Sequence, residues 1–165
     1  MSQTIQMSRE LGPRSGWGEA TECPMASMFG ILGTKTSYLI MREAFYGATR
    51  FEEFVERTGI SEPVAAARLR ELTAEGLLEK VPYQEPGQRT RNAYQLTDKG
   101  SDLLPVLVAM MRWGDRWLFP NGGRVDLTHS GCGSPVHAEL RCEEGHDVSP
   151  EQLDLTVRPW RQTIA

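Results

Sequence analysis

From Pro24 to Phe119 the apolar residues recur at helical spacing; beyond Pro120 they break into short alternating runs. The clearest helix lies within Ile60–Lys80, where Ala65, Leu69 and Leu72 fall at i, i+4 and i+7 and form one apolar face. Ser61 has the character of an N-cap, Pro63 sits in the first turn where a missing N–H costs little, and Gly76 ends the helix. The opposite face carries Pro63, Ala66, Ala67, Arg70 and Ala74, with Arg68 at its border. Side chains this small are unusual on a solvated helix and allow close approach to another object.

Upstream, Pro24 opens a helix with Met25, Met28, Phe29 and Leu32 on one side, and Gly33 breaks it. Thr34 caps a second helix whose Tyr38, Ile40, Met41, Ala44 and Phe45 face a core, ending at Gly47. Thr49 begins a third, with Phe51, Phe54 and Val55 apolar and Glu52, Glu53 and Glu56 near the N-terminal end, where the helix dipole favours them. Downstream of Gly76, Leu77–Tyr83, the polar segment Gln84–Asn92 and Ala93–Leu96 read as a β-hairpin whose tip carries Arg89 and Arg91. A long helix follows from about Ser101 to Phe119. Leu103, Leu107, Met110, Gly114 and Trp117 share one side of it, widened by Leu104, Met111 and Leu118. So wide an apolar arc exceeds what one small core needs and predicts a partner subunit.

Helix, glycine turn, helix and hairpin together make a winged helix-turn-helix, an α+β fold. The expected organisation is a mobile N-terminal arm over residues 1–20, a winged domain over 21–119, and a small β-rich C-terminal extension over 120–165.

Composition narrows the class. No apolar run in the 165 residues approaches the roughly 20 needed to span a membrane. The N-terminus lacks the apolar core of a secretory signal, and three cysteines without one argue against a disulfide scaffold, so the expectation is a cytoplasmic protein. The net charge of −4 is unusual for a nucleic-acid binder, but it is unevenly placed. Residues 119–165 hold four arginines against seven carboxylates, whereas 59–100 are balanced at six of each sign.

Residues 23 to about 117 resemble the HxlR family of bacterial winged-helix regulators, relatives of MarR. The resemblance is carried by Glu22-Cys23-Pro24, ILGTKTSYLIMREAFYGATRFEEF, GISEPVAAARLRELTAEGLLEKVPY, YQLTDKG and LLPVLVAMMRWGDRW, in that order and spacing. It implies a homodimeric regulator of transcription on double-stranded DNA, with the first and last helices as dimerisation helices. Helix 61–75 would enter the major groove and wing 82–93 the flanking minor groove, on a pseudo-palindromic operator. The DNA-contacting set implied is Ser61, Pro63, Ala66, Ala67, Arg68, Arg70, Arg89 and Arg91. The dimer interface implied is Met25, Met28, Leu107, Met110, Met111, Trp113 and Trp117. Repression is favoured over activation, since no surface is evidently dedicated to recruiting polymerase. Two positions depart from the family pattern: Thr36 stands where an aromatic is usual, and Glu62-Pro63 where a basic or amide residue often begins the recognition helix. The tail also resembles the His-x-x-Cys-Gly segment that some members carry.

Two clusters offer further chemistry. Cys23 sits beside a helix N-terminus, where the dipole favours a reactive thiol, although Glu19 and Glu22 oppose it. In some members of the family a cysteine at this position senses oxidants or electrophiles; the signal expected here is thiol chemistry at Cys23 or a small-molecule ligand. In the tail, His129-x-x-Cys132 and Cys142-x-x-x-His146 could hold a structural zinc, or be a hairpin with incidental histidines or a cysteine pair. No cofactor is otherwise required. The chain has no nucleophile elbow, phosphate loop or His-Glu-x-x-His helix, so an enzyme is not expected. The alternative kept open is a winged-helix module that binds protein, having lost DNA binding.

Overall fold

The computed structural model describes residues 6–7 and 23–156. Two compact units make up the chain: Pro24–Ala138, and a second formed by Met1–Cys23 together with Glu139–Ala165. Strand β1 (Gln6–Met7) belongs to the second unit. Apart from it, the arm expected over 1–20 lies outside the described residues.

The larger unit opens with α1 (Pro24–Leu32) and α2 (Lys35–Phe45). Thr34 caps α2 as its sequence predicts, its Oγ1 accepting from the Ser37 N–H at 3.1 Å. Helix α3 (Phe51–Thr58) starts two residues after Thr49, because the Glu53 carboxylate accepts from the Thr49 and Arg50 N–H groups at 2.8 and 2.9 Å. Those donors hold its carboxyl below the ordinary carboxylate range. Gly59, at φ 68°, ends α3 in the left-handed conformation and turns the chain into α4 (Glu62–Ala74). Helix α4 closes with a glycine cap: Gly76, at φ 72°, donates to Thr73 O and Leu77 to Leu72 O.

Strands β2 (Leu78–Tyr83) and β3 (Arg91–Leu96) pair antiparallel, from Leu78 opposite Leu96 to Tyr83 opposite Arg91. The Tyr94 N–H donates to Thr49 O at 2.7 Å, fastening the hairpin to the start of α3. One core holds these elements together: Ile40 and Met41 of α2, Phe54 of α3, Ala65, Leu69 and Leu72 of α4, and Leu77 and Leu78 entering the wing. The i, i+4, i+7 face of α4 is thus its buried face.

The long helix expected from Ser101 to Phe119 is two: α5 (Asp98–Ser101), capped by Thr97, and α6 (Leu104–Leu118). Pro105 lies in the first turn of α6 and lacks the N–H that would continue the ladder from α5. Among the described residues no helix is long and apolar enough to cross a membrane.

The larger unit runs on past Pro120 to Ala138. Arg112 of α6 donates from Nε to Val136 O at 2.8 Å and from Nη2 to Leu127 O at 2.9 Å, tying residues 119–138 to that helix. The β-rich tail is sparser in strand than its alternating pattern predicts. Its described part holds the isolated bridges Thr128–Pro135 and Arg141–Asp147, a 3-10 turn Pro150–Gln152, and β4 (Asp154–Leu155), which pairs in parallel with β1. Glycines and prolines interrupt each run before a ladder can extend.

Candidate nucleic-acid interface

Helix α4 owes its exposed face to the same periodicity that buries the other. Ser61, Glu62, Pro63 and Arg70 are exposed, while Ala66, Ala67 and Arg68 are half-buried. Ser61 occupies the N-cap position in extended geometry without a side-chain cap bond, which leaves its hydroxyl available. The four arginines predicted from the sequence are not equivalent. Arg68 is bound to Glu71 at 2.5 Å, one turn along the same helix. Arg91 stands in the β3 ladder opposite Tyr83 and pairs with Glu52 of α3 at 3.0 Å. Arg70 and Arg89 make no ion pair among the described residues, one on the presented helix and one at the hairpin tip. They are the cations best placed to meet a phosphate.

Sequence reasoning missed what steadies the wing. Arg50 lies 5.0 Å over the Tyr83 ring and bonds Glu85 at 2.7 Å, so the residue before α3 grips both ends of the β2 exit. Tyr94 meets Phe54 edge-on at 6.1 Å, and Lys80 lies 6.0 Å from its ring centroid. Only the alternation in YQL hinted that Tyr94 faces inward.

The residues assigned to a dimer interface separate into three groups. Met25, Met110, Trp113 and Trp117 are 70, 49, 59 and 62% exposed, and α1 has no fully buried residue among the described residues, only Ile31 and Leu32 packing partly against the core. Met28 and Met111 are half-buried, whereas Leu107 is 7% exposed and packs inside its own unit. The face open to a partner is therefore narrower than the sequence arc, and it omits Leu107.

Cys23 is half-buried immediately before α1. The tail donors form two pairs: His129 Nδ1 lies 3.3 Å from Cys132 Sγ in the larger unit, and Cys142 Sγ lies 3.5 Å from His146 Nδ1 in the smaller. Two ligands of one tetrahedral zinc stand about 3.5 Å apart with the usual bond lengths, so each pair has the span of one edge of such a site. Each supplies two ligands of four, and no group of three or more His, Cys, Asp or Glu gathers around a metal position among the described residues. The Cys132 thiol is held below its ordinary value by hydrogen bonding from Ser134, first its side chain and then its backbone.

Known proteins match this arrangement. The HxlR-like helix-turn-helix family model covers residues 31–121. An HTH-type transcriptional regulator of Mycobacterium tuberculosis, Rv3095, is 38% identical over 125 residues, 74% of this chain and 78% of that one. The crystal structure of PA1607, a candidate transcription factor, superposes with a TM-score of 0.73 at 36% identity, over 83% of this chain and 96% of that chain. The redox regulator HypR in its oxidised form superposes with a TM-score of 0.52 at 27% identity, over 57% of this chain and 96% of its own. The chain belongs to the HxlR-like helix-turn-helix family, and it is a DNA-binding regulator of transcription rather than an enzyme.

Proposed function

We propose that the protein is a homodimeric repressor that reads a pseudo-palindromic operator, one half-site per subunit. Each subunit presents α4 to the major groove and the β2–β3 hairpin to the adjoining minor groove. The observation that carries this reading is the exposed face of α4: small side chains at Pro63, Ala66 and Ala67 permit close approach, and Arg70 is free of ion pairs among the described residues. Arg70 is then the base-reading residue, for which a bidentate contact to guanine is the common geometry. Arg89 reaches the minor groove or its phosphates, and Arg68 with Arg91 keeps to positioning roles through Glu71 and Glu52. Two-fold symmetry sets the half-sites about one helical turn apart or a multiple of it. The exposed apolar surface of α1 and α6 supports the dimer, since Met25, Trp113 and Trp117 are each more than half exposed.

Cys23 is the proposed sensing thiol, modified by an oxidant or electrophile beside the dimerisation surface. The likeness to a redox regulator supports this assignment. The deciding experiment is retention of the protein's own upstream intergenic DNA across a salt series, reduced and after mild oxidation, with Cys23→Ser alongside. Steep salt dependence and an oxidation response that disappears in Cys23→Ser are expected. Salt-insensitive association would refute operator binding and favour the protein-binding module. An oxidation response that persists in Cys23→Ser would move the sensor to another thiol.

A further inference from the structure

A cavity of about 450 Å³ lies between α2 and α6, under the segment that follows α6. That volume is within the range of small-molecule sites. Its body is apolar, with Phe45, Leu107, Met111 and Val125 among its walls. Its polar groups are few: the phenols of Tyr38 and Tyr46, the guanidiniums of Arg42 and Arg124, and the Asp115 carboxylate. Three of these five are already committed, the Tyr46 hydroxyl by donating to Met111 Sδ at 4.0 Å. Arg42 bonds Glu43 at 2.5 Å and lies 6.0 Å from the Tyr46 ring centroid, and Asp115 pairs with Arg112 at 3.8 Å. Arg124 makes no ion pair among the described residues. Burial, followed by the proximity of Tyr46, holds the Tyr38 phenol above its ordinary 10.0, so it stays a neutral hydrogen-bond donor at physiological pH.

The roof is built, not incidental. Arg112 anchors it through the Leu127 and Val136 carbonyls. Gly123 allows the chain to cross Asp115 closely, because a Cβ there would lie 2.4 Å from the Asp115 carboxylate. The family match ends at residue 121, so the roof residues Arg124, Val125 and Leu127 lie beyond the part that the family model describes.

We propose that this cavity is an effector site for an amphipathic carboxylate, an aryl or short acyl group seated on the apolar walls with its carboxylate toward Arg124 and the Tyr38 phenol. One uncommitted cation with a neutral phenol donor and an apolar floor complements a single negative charge on an apolar body. The position suits regulation. Helix α2 shares its core with α4 through Ile40, Met41, Leu69 and Leu72, and α6 carries the exposed apolar face. A ligand between them shifts the DNA-reading body against the dimer helix, a consequence that rests on the function proposed above; the binding itself does not.

The test is calorimetric titration of the purified full-length protein with 2-naphthoate and with its neutral isostere 2-naphthamide. Saturable naphthoate binding, at least about tenfold tighter than the amide, is expected from one charge-assisted hydrogen bond. Arg124→Gln is expected to reduce the acid to the level of the amide. Gly114 lines the cavity, and a Cβ there meets no atom within 4 Å, so Gly114→Leu fills the space and abolishes binding whereas Gly114→Ala retains it. Unchanged thermal unfolding of Gly114→Leu confirms that the loss is not misfolding; should it unfold early, Arg124→Gln at the exposed roof decides alone. Absence of binding, equal affinity for acid and amide, or full affinity in a well-folded Gly114→Leu would overturn the proposal. A protein that retains DNA without binding naphthoate loses the cavity proposal alone, and one that binds naphthoate without retaining DNA loses the regulator reading alone.

Discussion

The same substitution, glycine to alanine, should have opposite effects at two places in this fold. Gly100 is buried in the one-turn helix α5, and a Cβ there would lie 2.1 Å from the Leu77 carbonyl oxygen and 3.2 Å from Leu96 Cδ2. Neither side can yield cheaply. The Gly100 N–H is bound to Thr97 Oγ1 at 3.0 Å, and Leu77 O accepts from the Thr97 N–H at 3.2 Å and its hydroxyl at 3.3 Å. Leu77 itself is 3% exposed at the root of the wing. Overpacking of this kind costs about 1–3 kcal/mol. Gly114, in the interior of α6, has open space around the same atom, so alanine there gains helix propensity worth up to about 1 kcal/mol. The two variants should therefore stand about 1–4 kcal/mol apart on either side of the parent. Urea unfolding at one fixed protein concentration measures this, with an unchanged slope confirming that the native state and not the unfolded chain has been altered. At roughly 2–4 °C per kcal/mol for a chain of this size, thermal melts should show the same order. Gly100→Ala as stable as the parent would refute the close approach of α5 to the wing root, and Gly114→Ala less stable than the parent would refute the open cavity beside α6.

Other outcomes follow from single contacts. Arg70→Ala and Arg89→Ala should each lower the slope of log affinity against log salt by about 1, and Arg68→Ala by less because Glu71 already neutralises it; filter binding across a salt series separates them, and equal slopes would refute the ranking. The Glu53 carboxyl titrates below its ordinary 4.5 in the folded state, so its contribution is complete above that pH and disappears as pH falls through the lowered value. Glu53→Gln should then be less stable than the parent near neutrality and converge with it in acid, as pH-dependent urea midpoints would show. Arg112→Lys cannot serve both carbonyls, since two different guanidinium nitrogens are used, and limited proteolysis should cut residues 119–127 faster than in the parent.

Local patterns were legible because they are local. The i, i+4, i+7 spacing of Ala65, Leu69 and Leu72, the cap at Thr34 and the glycine stop at Gly76 each act within a turn or two of chain. Composition and spacing therefore determined four helices, a hairpin, and which face of α4 would be left outward. The division of the long C-terminal helix was missed although Pro105 was in view, because apolar periodicity continues across the break and hides it.

What tertiary structure alone decided is which like residues differ. The i,i+3 spacing of Arg68 and Glu71 allows their pairing, but nothing in the spacing shows that Glu52 holds Arg91, since that pairing joins residues far apart in sequence. Leu107 and Met110 share a helical face, yet one is enclosed and the other open, because the segment after α6 folds back over part of that face. The cavity has the same origin: its walls come from α2, α6 and the roof, three segments with no common period. Periodicity records how a segment meets one neighbour, whereas ion pairs and enclosed space depend on how several segments meet at once.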